Sequence, residues 1–95
     1  MEIIWDSKKN DWLIINRNIS FEEISEIILK KEYKEIIENP TRSDQNCFVI
    51  EVHEYIWIVP FIIDKYKNII LKTAFPSRKY NKIYGERRWK TYMNL

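Results

Sequence analysis

Lys72 stands inside an apolar stretch, Ile69-Ile70-Leu71-Lys72-Thr73-Ala74-Phe75, and three further cations, Arg78, Lys79 and Lys82, follow Pro76-Ser77. Read as a strand, the stretch alternates its faces, so that Ile70, Lys72 and Ala74 share one side and Ile69, Leu71, Thr73 and Phe75 the other. Lys72 then points away from the main core. Ser77 caps a helix predicted from Arg78 to about Tyr84, on which Arg78 and Lys82 are four apart and share a face, with Lys79 beside them. Three cations converging near Lys72 over an open sheet suit a phosphate. The same residues also read as a lysine snorkelling from an edge strand beside a solvated helix face, and spacing alone leaves both readings open. Tyr80 and Tyr84, also four apart, either pack the helix on the sheet with Ile83 or face the same site. Arg87, Arg88, Trp89 and Lys90 follow in a basic tail, either a further contact for a polyanion or a solvated end.

Other chemistries lack their parts. One His and one Cys cannot supply a four-ligand zinc site, and a single Gly leaves no phosphate-cradling loop of the Walker or dinucleotide type. No metal and no cofactor are expected. His53 falls at a predicted tight connection, where a lone histidine is either a general base or a solvent-facing turn residue. Cys47 opens a strand beside Phe48 and reads as a small buried hydrophobe.

The charge is divided along the chain. Residues 1 to 64 carry seven Lys/Arg against thirteen Asp/Glu, and residues 65 to 95 carry nine against one, Glu86, so a net charge of +2 conceals a strongly basic C-terminal third. Such a surface concentrates polyanions, which makes nucleic acid or an acidic protein the leading ligand class. Ninety-five residues, 45% of them hydrophobic, with one Gly and three Pro, predict a single folded domain over 1–95 with a tail from about residue 86. The longest apolar run, Tyr55 to Ile63, is about half a bilayer span. With no signal-peptide pattern at the start and one cysteine, a cytoplasmic protein without a membrane segment is expected.

The elements that must position these residues follow from capping and periodicity. Glu2 to Trp5 suggests a short strand, and Asp6 caps a helix to about Ile15 with Trp12 and Ile15 on its buried face. Asn18 tolerates a left-handed helix exit. Ser20-Phe21-Glu22-Glu23 is a capping box, opening a helix to about Lys31 that buries Phe21, Ile24, Ile27 and Ile28. Strands follow at Tyr33–Glu38, Cys47–Val52, Tyr55–Ile62 and Ile69–Phe75, the middle pair joined across His53-Glu54. The predicted class is α+β: two N-terminal helices on one face of a four-stranded, mainly antiparallel sheet, and a C-terminal helix stopping at Gly85. The other face and that helix stay available for a ligand.

Two motifs carry a family resemblance over most of the chain. Trp5-Asp6-Ser7-Lys8-Lys9 precedes Asn16-Arg17-Asn18-Ile19-Ser20-Phe21-Glu22-Glu23 at the separation seen between a W-D-x-x-K segment and a K-H-G-[IV]-S-F-E-E junction. Leu71-Lys72-Thr73-Ala74-Phe75-Pro76-Ser77-Arg78-Lys79 is similar to L-K-T-x-x-P-S-R-K. In these respects the chain resembles BrnT-type toxins of the RelE/ParE superfamily. Asn18 stands where Gly is usual, Tyr80 where small residues are common, and Tyr84 where some relatives carry an acid.

The resemblance implies a RelE/BrnT-like fold and a compact, metal-free ribonuclease that cuts RNA, in several members mRNA on the ribosome. It also implies a cognate antitoxin, of the ribbon-helix-helix (BrnA-like) kind, that covers the basic site with an acidic or amphipathic segment. Operator DNA is then reached only through the antitoxin. In such a reaction a ribose 2′-OH attacks the adjacent phosphodiester, and the site must take a proton, stabilise a phosphorane and protonate the leaving 5′-oxygen. The implied catalytic residues are Arg78, whose fork holds two phosphate oxygens, Lys72 as point charge or base, and Tyr84 as proton donor or stacking platform. Lys79, Lys82, Tyr80, Arg87 and Arg88 are the implied RNA contacts, with His53 a secondary candidate. Two other functions fit the same residues: a ParE-like inhibitor that binds DNA gyrase, and a non-catalytic module for single-stranded nucleic acid.

Overall fold

Short polar side chains start both N-terminal helices by taking backbone N–H groups that the first turn leaves without partners. The computed structural model describes residues 1–93, with side chains described as far as residue 85. After a two-residue strand β1 (Ile3–Ile4), the Asp6 carboxylate accepts the Lys9 N–H at 3.3 Å and opens α1 (Ser7–Arg17). Asn18 ends α1 in the left-handed region, at φ 53° and ψ 38°. Ser20 and Glu23 form the expected capping box ahead of α2 (Phe21–Leu29), which buries Phe21, Ile24 and Ile28.

The face that α1 buries differs from the expected one. Trp12 is 41% and Ile15 81% exposed, and the buried residues are Asn10 and Leu13. Asn10 sets this rotation. Its Oδ1 accepts the Phe21 N–H at 2.7 Å and its Nδ2 donates to Glu22 at 2.7 Å. It thereby satisfies a first-turn donor of α2 and locks the two helices together. Trp12 lies instead under two cations, with Lys9 Nζ 4.3 Å and Arg17 Cζ 4.8 Å from its ring.

The sheet is larger than expected and mixed: six strands rather than four. Its path is β1, β5 (Ile69–Leu71), β4 (Tyr55–Ile63), β3 (Asn46–Val52), β2 (Glu35–Glu38), with β6 (Phe75–Pro76) also paired to β4. β1 runs parallel to β5 and all other pairs are antiparallel. The β3–β4 hairpin turns at His53 and Glu54, whose φ values of 53° and 61° are those a two-residue type I′ turn requires. One sheet face carries Phe48, Ile50, Trp57, Val59, Phe61 and Leu71 against Leu13, Ile19, Phe21, Ile24 and Ile28 of the N-terminal helices. The other carries Ile37, Cys47, Val49, Ile56 and Ile58, covered by Tyr80 and Tyr84. Burial pushes the Cys47 thiol up from its ordinary range, so it stays protonated as a small core hydrophobe.

The last helix, α3 (Arg78–Met93), therefore lies on the second face, and that face is partly covered rather than open. It also runs past Gly85, which was expected to stop it. A glycine stop depends on a left-handed φ, and Gly85 does not adopt one. Among the described residues no helix is long and apolar enough to cross a membrane.

Candidate functional site

Pro60 creates the site by ending a ladder. Opposite it, the Lys72 N–H donates to the Pro60 carbonyl at 2.9 Å. In a hydrogen-bonded antiparallel pair the partner returns an N–H, and proline has none. β5 ends at Leu71, and pairing with β4 resumes only at β6, where Phe75 meets Ile58 and Pro76 meets Trp57. The expected continuous strand Ile69–Phe75 is thus broken, and its alternation fails past Lys72. Ala74 is fully buried among the residues facing α1 and α2, and not on the Lys72 side. Arg17 Nη1 donates to the Ala74 carbonyl, tying the break to α1.

Beyond the break the chain is fixed again at three points. The Ser77 N–H donates to the Ile56 carbonyl at 2.9 Å, the Ser77 hydroxyl caps α3 by accepting the Tyr80 N–H at 3.2 Å, and Asn81 accepts the Ile56 N–H at 3.2 Å. The start of α3 is thereby clamped beside β4.

Two clefts open along this line and share Phe75 as a wall. The first, about 330 Å³, is lined by Ile37, Glu38, Pro40, Ser77, Lys79 and Tyr80 among others. The second, about 320 Å³, is lined by Asn39, Arg42, Gln45, Pro60, Lys72 and Thr73. Together they form a groove on the α3 side of the sheet, bounded by the segment joining β2 to β3. Phe75, 39% exposed between them, offers an aromatic surface.

The structure brings Lys72, Lys79 and Tyr80 into this groove. Lys79 Nζ also stands 5.6 Å from the Tyr80 ring centroid. Arg78 and Lys82 are exposed on α3 and line neither cleft, although Arg78 lies between Ser77 and Lys79, which do. The Tyr84 ring packs on the second sheet face, its hydroxyl donates to Glu35 of β2, and Lys34 Nζ lies 5.9 Å from the ring. The His53 ring nitrogen lies 2.8 Å from Glu23 at the hairpin turn, on the α2 side of the sheet. Arg87, Arg88 and Trp89 lie outside the described side chains.

Sequence reasoning missed Glu38, Arg42, Gln45 and Phe75. The signal for two of them, Arg42 and Gln45, is weak: Asn39-Pro40-Thr41-Arg42-Ser43-Asp44-Gln45 reads as a polar connection, and nothing local says it folds beside Lys72. Phe75 is assigned to the wrong face until the Pro60 break is known.

No protein-family model matches the chain, and no curated protein sequence matches it. A solved structure does: the 1.1 Å crystal structure of the Brucella abortus ribonuclease toxin BrnT, with a TM-score of 0.61 and 22% identity. The match covers 81% of this chain and 96% of that one. The chain has the BrnT fold. This bears out the fold expected from the two sequence motifs, with the strand count corrected. The BrnT fold here sets Lys72 and Lys79, from the L-K-T-x-x-P-S-R-K segment, along one groove.

Proposed function

We propose that this chain is the toxin of a type II toxin–antitoxin pair and acts as an endoribonuclease. The observation that carries the reading is the meeting of a ribonuclease toxin's fold with a groove that gathers Lys72, Lys79 and Arg42 around an exposed Phe75. A single RNA strand suits such a groove, because its phosphates need cations and its unstacked bases need an aromatic face.

The reaction is attack of a ribose 2′-OH on the adjacent phosphodiester. A bond forms from the 2′-oxygen to phosphorus, the bond to the 5′-oxygen breaks, and the 2′-proton must leave while the 5′-oxygen gains one. Lys72 offsets the charge that accumulates on the phosphorane, and Arg78 at the head of α3 brings a planar fork to the neighbouring phosphate. Lys79 and Lys82 hold the flanking backbone. Glu38, which lines the first cleft, takes the 2′-proton in this reading, and Tyr80, which lines the same cleft, supplies one to the 5′-oxygen. Tyr84 serves by holding α3 to β2 through Glu35. In this reading the chemistry needs no metal, mRNA on the ribosome is the target, and an antitoxin neutralises the toxin by laying an acidic segment over the groove.

Induction of the wild type, Lys72→Ala and Arg78→Ala in bacteria tests the reading. Growth arrest with new mRNA 5′ ends in the wild type, lost in both variants, is the expected result. A wild type that leaves RNA whole, free and on ribosomes, overturns it. One observation favours a second reading, gyrase inhibition by protein contact: Trp12, Ile14 and Ile15 are exposed on the helical hairpin. That reading predicts loss of supercoiling activity that survives Lys72→Ala and is relieved by Ile15→Asp.

A further inference from the structure

The segment between β2 and β3 carries an amide of fixed orientation, Gln45, that lines the Lys72 cleft. The Thr41 N–H and hydroxyl both lie 3.0 Å from Asn39 Oδ1. A backbone N–H only donates, so the Asn39 atom it meets is the oxygen, and the other terminal atom is the NH2 group. That Nδ2 lies 3.1 Å from the Gln45 side chain, which must meet it with Oε1. Gln45 is left with Nε2, carrying two hydrogens, and among the described residues nothing accepts from it. The backbone holds the same arrangement: the Asn39 N–H donates to the Gln45 carbonyl and the Gln45 N–H to the Arg42 carbonyl, each at 3.1 Å.

Gln45 is 9% exposed, and with Asn10 it forms the buried polar set of the described residues. Asn10 has a full structural account in the α1–α2 lock; among the described residues no fully buried side-chain nitrogen or oxygen lacks a partner, so the Gln45 NH2 is the part of that side chain open to solvent. It lines the cleft that also holds Lys72 and Arg42. An ammonium, a guanidinium and an amide NH2 all donate. These three donors suit a group that accepts, and a phosphodiester's non-bridging oxygens are such a group.

We propose that Gln45 Nε2, with Lys72 and Arg42, forms a phosphate subsite of the groove, and that Asn39 is the positioning residue that turns the Gln45 amide toward it. This rests on the reading of the groove as an RNA site. As the 2′-oxygen attacks, the non-bridging oxygens gain negative charge, and a donor already aimed at them stabilises that state without reorganising. Gln45 supplies direction where Lys72 and Arg42 supply charge.

The test is a titration of the ¹⁵N-labelled full chain with a 2′-O-methyl oligoribonucleotide, which lacks the attacking hydroxyl, alongside cleavage of the unmodified oligonucleotide. The Gln45 side-chain NH2 resonances should shift on titration, and Gln45→Glu, which replaces the donor by an acceptor, should lower the cleavage rate by about 10²-fold or more. Arg42→Ala, at an exposed position that leaves the fold intact, should weaken oligonucleotide binding. Asn39→Asp keeps the acceptor for Thr41 but loses the NH2, and should lower kcat while leaving KM nearly unchanged. An oligonucleotide that shifts α3 resonances and leaves those of Gln45 unmoved overturns the subsite. So does a folded Gln45→Glu protein that cleaves like the wild type. A wild type that binds the oligonucleotide at Gln45 yet cuts no RNA supports the subsite and removes the ribonuclease reading.

Discussion

Arg17 joins the N-terminal helices to the segment that carries the groove, and its removal should be felt in both stability and activity. Its guanidinium donates to the carbonyl of Ala74, a residue with no solvent exposure. Truncation to alanine leaves that carbonyl buried without a partner, a loss of about 1 to 3 kcal/mol. It also removes the cation 4.8 Å from the Trp12 ring, worth about 0.5 to 1 kcal/mol at a partly exposed site. Together these place Arg17→Ala about 1.5 to 4 kcal/mol below the wild type. For a domain of this size that is about 6 to 30 °C in Tm. Trp12→Ala separates the contributions, since it removes the ring and keeps the hydrogen bond, and should cost under about 1 kcal/mol. Thermal and urea unfolding of the three proteins measure this directly. Below its own Tm, Arg17→Ala should also bind RNA more weakly, because Thr73 and Phe75 on either side of Ala74 line the clefts. An Arg17→Ala protein melting within about 2 °C of the wild type would refute the reasoning that this bond holds the β5–β6 break in place.

Asn10→Ala should destabilise by about 1 to 3 kcal/mol, since it strands the Phe21 N–H in the core, with urea unfolding as the measure. Leu13→Ala, at a fully buried position, should cost about 2 to 5 kcal/mol in the same assay. Asp64 is held below the ordinary carboxylate range, first by the backbone N–H of Asn68, with the Tyr66 N–H and the Asn68 side chain adding to it. Its folded pKa is depressed, so its stabilisation is complete above its unfolded value of about 3.9 and is lost as pH falls through that value and the lower folded one. The gap in unfolding free energy between wild type and Asp64→Asn should be flat from pH 5 to 8 and close on acidification below about pH 4; a gap unchanged at pH 2.5 would count against it. Glu38→Gln, an isosteric change in the first cleft, should lower the rate of RNA cleavage by about 10²- to 10⁴-fold with little change in oligonucleotide binding.

Local rules made much of the fold legible. Asp6, Ser20 with Glu23, Asn18 and Ser77 act where capping chemistry places them, and His53-Glu54 turns the hairpin where the period of two is interrupted. What was hidden depends on partners distant in sequence. The phase of α1 is set by Asn10 reaching Phe21 and Glu22, so the apolar Trp12 and Ile15 stay outside. The split of β5 from β6 comes from a proline on another strand, and with it Ala74 and Phe75 exchange faces. Lys72 could be placed off the main core from its own strand, whereas Arg42 and Gln45 come to it through the fold of a polar connection with no periodicity of its own.

The pairing of the first strand with the fifth has a consequence for how the chain is made. Glu2 donates its N–H to Asn68 at 2.9 Å, a partner 66 residues away. At the usual pace of about 5 to 20 residues per second, β1 waits about 3 to 13 seconds for that partner to be synthesised. The helical hairpin and the β3–β4 hairpin are local and form early, while the closure of the sheet edge carries the loop entropy and comes last. Lys72, Phe75 and Lys79 all lie beyond Asn68. A nascent chain arrested before them therefore holds most of the core and only the groove wall supplied by β2, β4 and the segment after β2, so synthesis of the residues beyond Asn68 divides a folded but incomplete scaffold from a two-walled binding surface.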